Sequence, residues 1–102
     1  MIRSVLYGVR NADVEQTAAA LSARLGCEFR TRDSHYLGIY QKAMVGSTQI
    51  RVVAQPDPEG EPLEDGFEDY QTLIYVELGG EFPALDGVPV AAESVNRLRE
   101  DE

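Results

Sequence analysis

The chain has one cysteine, one histidine and no tryptophan among its 102 residues. Because a single cysteine cannot form an internal disulfide, the disulfide frameworks of small secreted domains are excluded. Cys27 and His35 also fall short of the ligand set of an ordinary zinc site. Asp33, Ser34 and His35 contain the side chains of a hydrolytic triad, but consecutive residues diverge and cannot reach one another. We therefore predict a protein that is not an enzyme and that holds no metal and no cofactor.

Long apolar runs are also missing. The apolar stretch before Gly8 is too short for a signal peptide, and Arg10 and Asp13 follow it closely. No run approaches the roughly 18 apolar residues that a membrane-spanning helix requires. The sequence therefore predicts a cytoplasmic protein with no membrane partner.

Positive charge is scarce, with 9 basic residues against 18 acidic ones and a net charge of −9. Such a field repels phosphate backbones, so we expect no nucleic-acid partner. The same field attracts a basic protein, although the charge could also serve only solubility. Hydrophobic residues make up 43% of the chain, which is enough for one core, and the length predicts a single domain over residues 1–102.

The spacing of apolar residues predicts one helix in the first third of the chain. Asp13 and Gln16 fit a capping box at its start, and Gly26 is the expected C-terminal stop. Four side chains at helical spacing form its apolar face: Val14, Ala18, Leu21 and Leu25.

Period-two alternation predicts strands at residues 2–7, 27–32, 36–44 and 48–54, and residues 72–78 are apolar on both faces, as in a central strand. A second helix is predicted from about Ala91 to Arg99. The order is then β-α-β-β-β-β-α. We predict an α+β two-layer sandwich, in which helices pack on one face of a curved, mostly antiparallel sheet.

Residues 55–71, the acidic loop, contain three prolines, two glycines and seven acids without a base. Aromatic anchors inside a negative rim would favour fast association with a basic protein. The candidate binding residues are Asp57, Glu59, Glu61, Glu64, Asp65, Phe67, Glu68, Asp69 and Tyr70. Alternatively, the loop is a solvated charge run, or Leu63, Phe67 and Tyr70 simply pin it to the core.

The spacing of the loop acids is also compatible with a calcium loop of the EF-hand type. Pro62 stands where such a loop needs glycine, however, and no helices flank it, so a calcium site is not favoured. We expect the acids to be exposed, so that reversing Glu64, Asp65, Glu68 and Asp69 to lysine leaves folding nearly intact.

A second candidate surface is the face of the sheet away from the helices. The predicted strands would place basic and aromatic side chains there: Arg30, Arg32, Tyr36, Tyr40, Lys42 and Arg51. RNA platforms have this composition, but the net charge opposes RNA, and we expect no detectable binding to single-stranded RNA at physiological ionic strength. Cross-strand pairing with Glu28, or binding of an acidic or aromatic partner, is favoured.

Two resemblances follow from these elements. The β-α-β-β-β order of residues 2–54 is similar to one module of the glyoxalase/vicinal-oxygen-chelate fold, whose metal is held by His and Glu. Here His35 sits at a turn and Glu77 lies outside the module, so the metal chemistry is not carried over.

The second resemblance covers residues 20–78, with a Leu25-Gly26 helix end, the Arg32–Tyr40 segment and the Phe67–Tyr70 segment of the acidic loop. These features look like small acidic immunity proteins of bacterial toxin systems, which bind and block a toxin. This resemblance implies an immunity-type inhibitor that binds a basic toxin or effector. The alternative is a small-molecule-binding or degenerate glyoxalase-like domain that acts as a homodimer.

Overall fold

The computed structural model describes residues 2–102. One helix, α1, spans Val14–Leu25. The strands are β1 (Ser4–Val9), β2 (Arg30–Ser34), β3 (Gly38–Val45), β4 (Thr48–Ala54), β5 (Thr72–Glu77), β6 (Pro89–Val90), β7 (Glu93–Ser94) and β8 (Asn96–Asp101). Six of them form one antiparallel sheet in the order β2-β3-β4-β5-β1-β8, while β6 and β7 pair separately.

The helix begins and ends at the predicted caps. The Asp13 carboxylate accepts a hydrogen bond of 2.8 Å from the Gln16 amide, and the Gln16 side chain accepts one of 3.0 Å from the Asp13 amide. This reciprocal pair satisfies two amides that the helix itself leaves without partners. Gly26 ends α1 with φ of 65°, a left-handed conformation that glycine adopts without strain. The apolar face is also confirmed, since Leu21 is fully buried.

The predicted meander of strands is confirmed, with shifted boundaries. β5 lies between β4 and β1 and is a central strand, with Leu73 and Ile74 fully buried on its two faces. β2 begins three residues later than predicted, and the turn between β2 and β3 falls at residues 35–37 rather than at 33–34. Ser34 stabilises that turn, because its hydroxyl accepts hydrogen bonds of 3.2 Å from the amides of Tyr36 and Leu37.

The predicted C-terminal helix is wrong. Ala91 adopts a left-handed φ of 54°, and β8 then runs antiparallel to β1. Val95, just before this strand, fills the core with 2% of its surface exposed. Pairing with β1 satisfies backbone groups that a helix here would leave open along the sheet edge, and this long-range pairing overrides the helical spacing. The fold is therefore α+β with one helix on an antiparallel sheet, and the pair of helices is not present in the described residues.

The core lies between α1 and one face of the sheet, and the acidic loop covers part of the other face. Tyr7, Ile50 and Ile74 belong to the core cluster that includes Leu21 of the helix. Since side chains alternate along a strand, their neighbours Leu6 and Leu73 point to the opposite face. They are buried as well, so the outer face has an apolar centre of its own. Within residues 2–102, no helix is long and apolar enough to cross a membrane.

Candidate binding surfaces

Gln55 fixes the backbone of the acidic loop. Its side chain is buried at the end of β4, with 8% of the residue exposed. The amide nitrogen donates hydrogen bonds of 2.6 and 2.8 Å to the carbonyls of Phe67 and Tyr70, and the amide oxygen accepts bonds of 3.0 and 3.4 Å from the amides of Leu63 and Glu64. One side chain therefore satisfies four backbone groups, and the loop has a defined conformation without regular secondary structure.

Tyr70 of the acidic loop packs against the sheet. Tyr70 lies over Gly8, where a β-carbon would come within 2.7 Å of the tyrosine ring. Its ring centroid is 6.4 Å from that of Phe67 in a T-shaped arrangement, and the Arg10 guanidinium lies 4.8 Å from the Tyr70 centroid. Leu63, Phe67 and Tyr70 are all half-buried. The contact of Tyr70 with Gly8 holds this part of the loop against the sheet.

Two of the seven loop acids stabilise turns within the loop. The Asp57 carboxylate accepts hydrogen bonds of 2.9 Å from the amides of Glu59 and Glu61. The Glu68 carboxylate accepts a bond of 3.0 Å from the Gly66 amide, and this bond lowers the pKa of Glu68 below its ordinary value. Because such bonds favour the ionised form, these carboxylates shape the loop as well as charging it.

Glu64 joins the loop to the sheet. Its carboxylate accepts hydrogen bonds of 2.7 Å from the Tyr75 hydroxyl and of 2.7 Å from Nη1 of Arg99. Only 17% of the Glu64 side chain is exposed. Burial and the neighbouring Glu64 carboxylate raise the pKa of the Tyr75 phenol well above its ordinary value. The expectation that Glu64 is exposed is therefore wrong. We now predict that reversing Glu64 to lysine destabilises the fold, since lysine would face Arg99 and lose both bonds.

Four acids remain for contact with a partner: Glu59, Glu61, Asp65 and Asp69. All four are exposed, and in the part of the chain that the structure describes none of them pairs with a cation. Among residues 2–102, no three acidic, histidine or cysteine side chains gather in a group that could hold a metal ion. The outer rim of the acidic loop is thus a negative surface on a fixed backbone.

The second predicted surface contains a row of cations across three strands. Lys42 of β3 lies directly opposite Arg30 of β2 on one side and Arg51 of β4 on the other. Directly opposite residues point to the same face, so the three side chains form one row, named here the cationic row. Arg32 and Tyr40 form the next pair along β2 and β3. Tyr36 is not part of this face, because it lies in the turn with 73% of its surface exposed.

Ion pairs neutralise the cationic row only weakly. The Arg30 guanidinium is 3.9 Å from the Glu28 carboxylate, and that of Arg51 is 3.8 Å from the Glu77 carboxylate. Both distances exceed those of a hydrogen bond. Nε of Arg51 is buried without a hydrogen-bond partner, and its guanidinium lies 5.3 Å from the Tyr75 ring centroid. Lys42 pairs with no carboxylate among the described residues.

A shallow groove of about 410 Å³ runs along the β2–β3 side of this face. Its lining includes Arg30, Arg32 and Lys42, together with Glu28 and Met44. The face predicted from strand alternation thus concentrates positive charge on a protein whose net charge is −9.

Sequence reasoning missed three residues that organise these surfaces: Gln55, Tyr75 and Arg99. Gln55 directly precedes Pro56 at the end of an apolar strand. A polar residue at this position is the one local feature of the sequence that indicates a side chain bonded to the loop backbone. Tyr75 was expected only as part of a central strand. Arg99 was assigned to a helix, so its contact with Glu64 could not be foreseen.

Comparison of the chain with models of protein families, with curated proteins and with solved structures gave no match. The resemblances to immunity proteins and to the glyoxalase module therefore stay predictions.

Proposed function

We propose that this chain is a non-enzymatic protein-binding domain of the immunity-inhibitor type, and that the rim of the acidic loop binds a basic toxin or effector. The observation that carries the proposal is the anchoring of the loop by Gln55, whose side chain makes four hydrogen bonds to the loop backbone. A long loop rich in proline and acid would otherwise lose much conformational entropy on binding. Here that entropy is already lost in the free protein.

Charge supports the same proposal. The exposed rim acids Glu59, Glu61, Asp65 and Asp69 stand within a field of net charge −9. Such a field steers a positively charged protein toward the rim and raises the association rate, most strongly at low ionic strength. Binding of this kind weakens as salt is added, because exposed charges are screened over about 8 Å at physiological ionic strength.

Nothing in this proposal requires a chemical step. The Ser34 hydroxyl accepts hydrogen bonds from two turn amides, and His35 is exposed next to it. These contacts support a structural role for the Asp33-Ser34-His35 segment as the tip of the β2–β3 hairpin.

The test compares two variants with equal loss of charge. The rim variant carries Glu59→Gln, Glu61→Gln, Asp65→Asn and Asp69→Asn. The control variant carries Glu15→Gln, Asp33→Asn, Glu81→Gln and Glu93→Gln, four acids outside the loop. Both variants and the wild type are used as bait for affinity capture from the native host, and captured proteins are identified by mass spectrometry.

We expect the wild type and the control to retain one basic protein in stoichiometric amount, and the rim variant to lose it. The interaction is then measured with the purified partner as a function of salt. Equal retention by the rim variant, or a partner that is not basic, would show that the rim is not the binding surface.

A further inference from the structure

The cationic row opposes the usual arrangement of charges on a sheet. Like charges directly opposite each other on neighbouring strands destabilise a sheet, whereas opposite charges stabilise it. Arg30, Lys42 and Arg51 are nevertheless consecutive across β2, β3 and β4, in a chain that has twice as many acids as bases. A carboxylate at the position of Lys42 would pair with both arginines, so folding alone does not explain a lysine there.

The repulsion within the row is only partly relieved by the protein itself. The Glu28 carboxylate lies 3.9 Å from Arg30 and the Glu77 carboxylate 3.8 Å from Arg51, the two outer members of the row. The central residue, Lys42, is half-buried and has no carboxylate partner in residues 2–102. Arg51 also keeps a buried Nε without a partner. The row therefore has positive charge available to a ligand.

We propose that the cationic row is a binding site for a small polyanion that carries two or three phosphoryl groups. Neighbouring strands are about 4.8 Å apart, so three opposed residues span about 10 Å, and their long side chains can converge on the shorter chain of two or three phosphoryl groups. Arginine matches phosphoryl oxygens with two parallel hydrogen bonds, and lysine binds them as a point charge. The groove of about 410 Å³ beside the row has the size of a small-molecule site. This site is independent of the acidic rim.

A nucleic acid fits the same surface less well. A single strand would extend beyond the short row and meet Glu28 or Glu77 at its ends, and the net charge of −9 opposes a long polyanion. A small ligand reduces both penalties, because its fewer charges contact mainly the cations of the row.

The experiment uses tripolyphosphate as the probe, with calorimetric titration for affinity and thermal unfolding for stability. Lys42→Gln removes the centre of the row, and Arg24→Gln removes an exposed cation from the last turn of α1. Citrate replaces tripolyphosphate in a parallel titration to separate phosphoryl from carboxylate ligands, and a single-stranded RNA oligonucleotide forms a third arm.

We expect saturable binding of tripolyphosphate to the wild type and to Arg24→Gln, and binding about tenfold weaker or more to Lys42→Gln, the loss typical of one charge-assisted contact. Without ligand, Lys42→Gln should unfold at a higher temperature than the wild type, because the like-charge repulsion is gone. Equal affinity in the two variants would overturn the proposal. Tighter binding of citrate or of RNA than of tripolyphosphate would also overturn it.

Discussion

The hydroxyl of Tyr75 donates a hydrogen bond of 2.7 Å to Oε2 of Glu64. This bond joins the central strand of the sheet to the middle of the acidic loop. Tyr75 also lies directly opposite Arg51, the last residue of the cationic row. Tyr75 therefore contacts both Glu64 of the acidic loop and Arg51 of the cationic row.

Replacing Glu64 should destabilise the fold, unlike replacement of a rim acid. Glu64→Ala loses the bonds to Tyr75 and Arg99 and leaves a half-buried hydroxyl without an acceptor. Loss of a charge-assisted hydrogen bond reduces the free energy of unfolding by about 1–3 kcal/mol. The measurement is urea unfolding of Glu64→Ala beside Asp69→Ala, which removes an exposed rim carboxylate.

A double-mutant cycle with Tyr75→Phe separates the energy of the Glu64–Tyr75 bond from the other effects of each substitution on stability. If the bond exists, the double variant should be more stable than the sum of the two single losses predicts. Strict additivity would mean that Glu64 and Tyr75 do not interact in solution.

Stability should fall at alkaline pH because of Tyr75. The folded protein raises the pKa of this phenol, so the folded state binds the proton more tightly than the unfolded state. The contribution of Tyr75 to the free energy of unfolding is fully present below the ordinary tyrosine pKa of about 10 and is lost as the pH rises above it. Unfolding by urea, measured from neutral to alkaline pH, should show this decline in the wild type and a shallower one in Tyr75→Phe. Identical pH profiles would contradict the assignment.

The sequence predicts an element correctly where that element is stabilised by contacts among its own residues. The capping box of Asp13 and Gln16, the Gly26 stop and the alternation of Thr48–Ala54 each reflect contacts between residues close in the chain. The same alternation predicts the face that Arg30, Arg32 and Lys42 share. That Lys42 lies between two arginines depends on register, which turn positions set and which the sequence pattern left open.

Long-range contacts account for the failures. The apolar residues Ala91, Val95 and Leu98 have helical spacing, but Leu98 packs over Gly8 on one face of the sheet while Val95 is buried in the core on the other. An extended chain can place nearby side chains on opposite faces of the sheet. Hydrogen bonding to the open edge of β1 stabilises the extended conformation over a helix. Glu64 was expected to be exposed for the same reason, since its partners Tyr75 and Arg99 are 11 and 35 residues away.

Gln55 should control the order of the acidic loop more than the stability of the sheet. Gln55→Leu keeps a similar volume but removes all four hydrogen bonds to the loop backbone. We expect amide hydrogen exchange to accelerate in residues 56–70, whereas β1 and β5 keep most of their protection. Gln71→Leu, an exposed change at the end of the loop, is the control. Uniform acceleration across the whole protein would indicate global destabilisation instead.

Gly8 should be intolerant of any side chain, although it lies within strand β1. A β-carbon at this position would come within 2.7 Å of the Tyr70 ring and 2.8 Å of the Leu98 side chain. Overpacking of this kind costs about 1–3 kcal/mol, and here it would push Tyr70 and the acidic loop off the sheet. Gly80→Ala is the matched control, since a β-carbon there meets no atom within 4 Å. We expect thermal unfolding of Gly8→Ala at a clearly lower temperature than that of Gly80→Ala, together with weaker partner binding through the displaced rim. A Gly8→Ala protein as stable as the control would mean that the loop does not rest on β1.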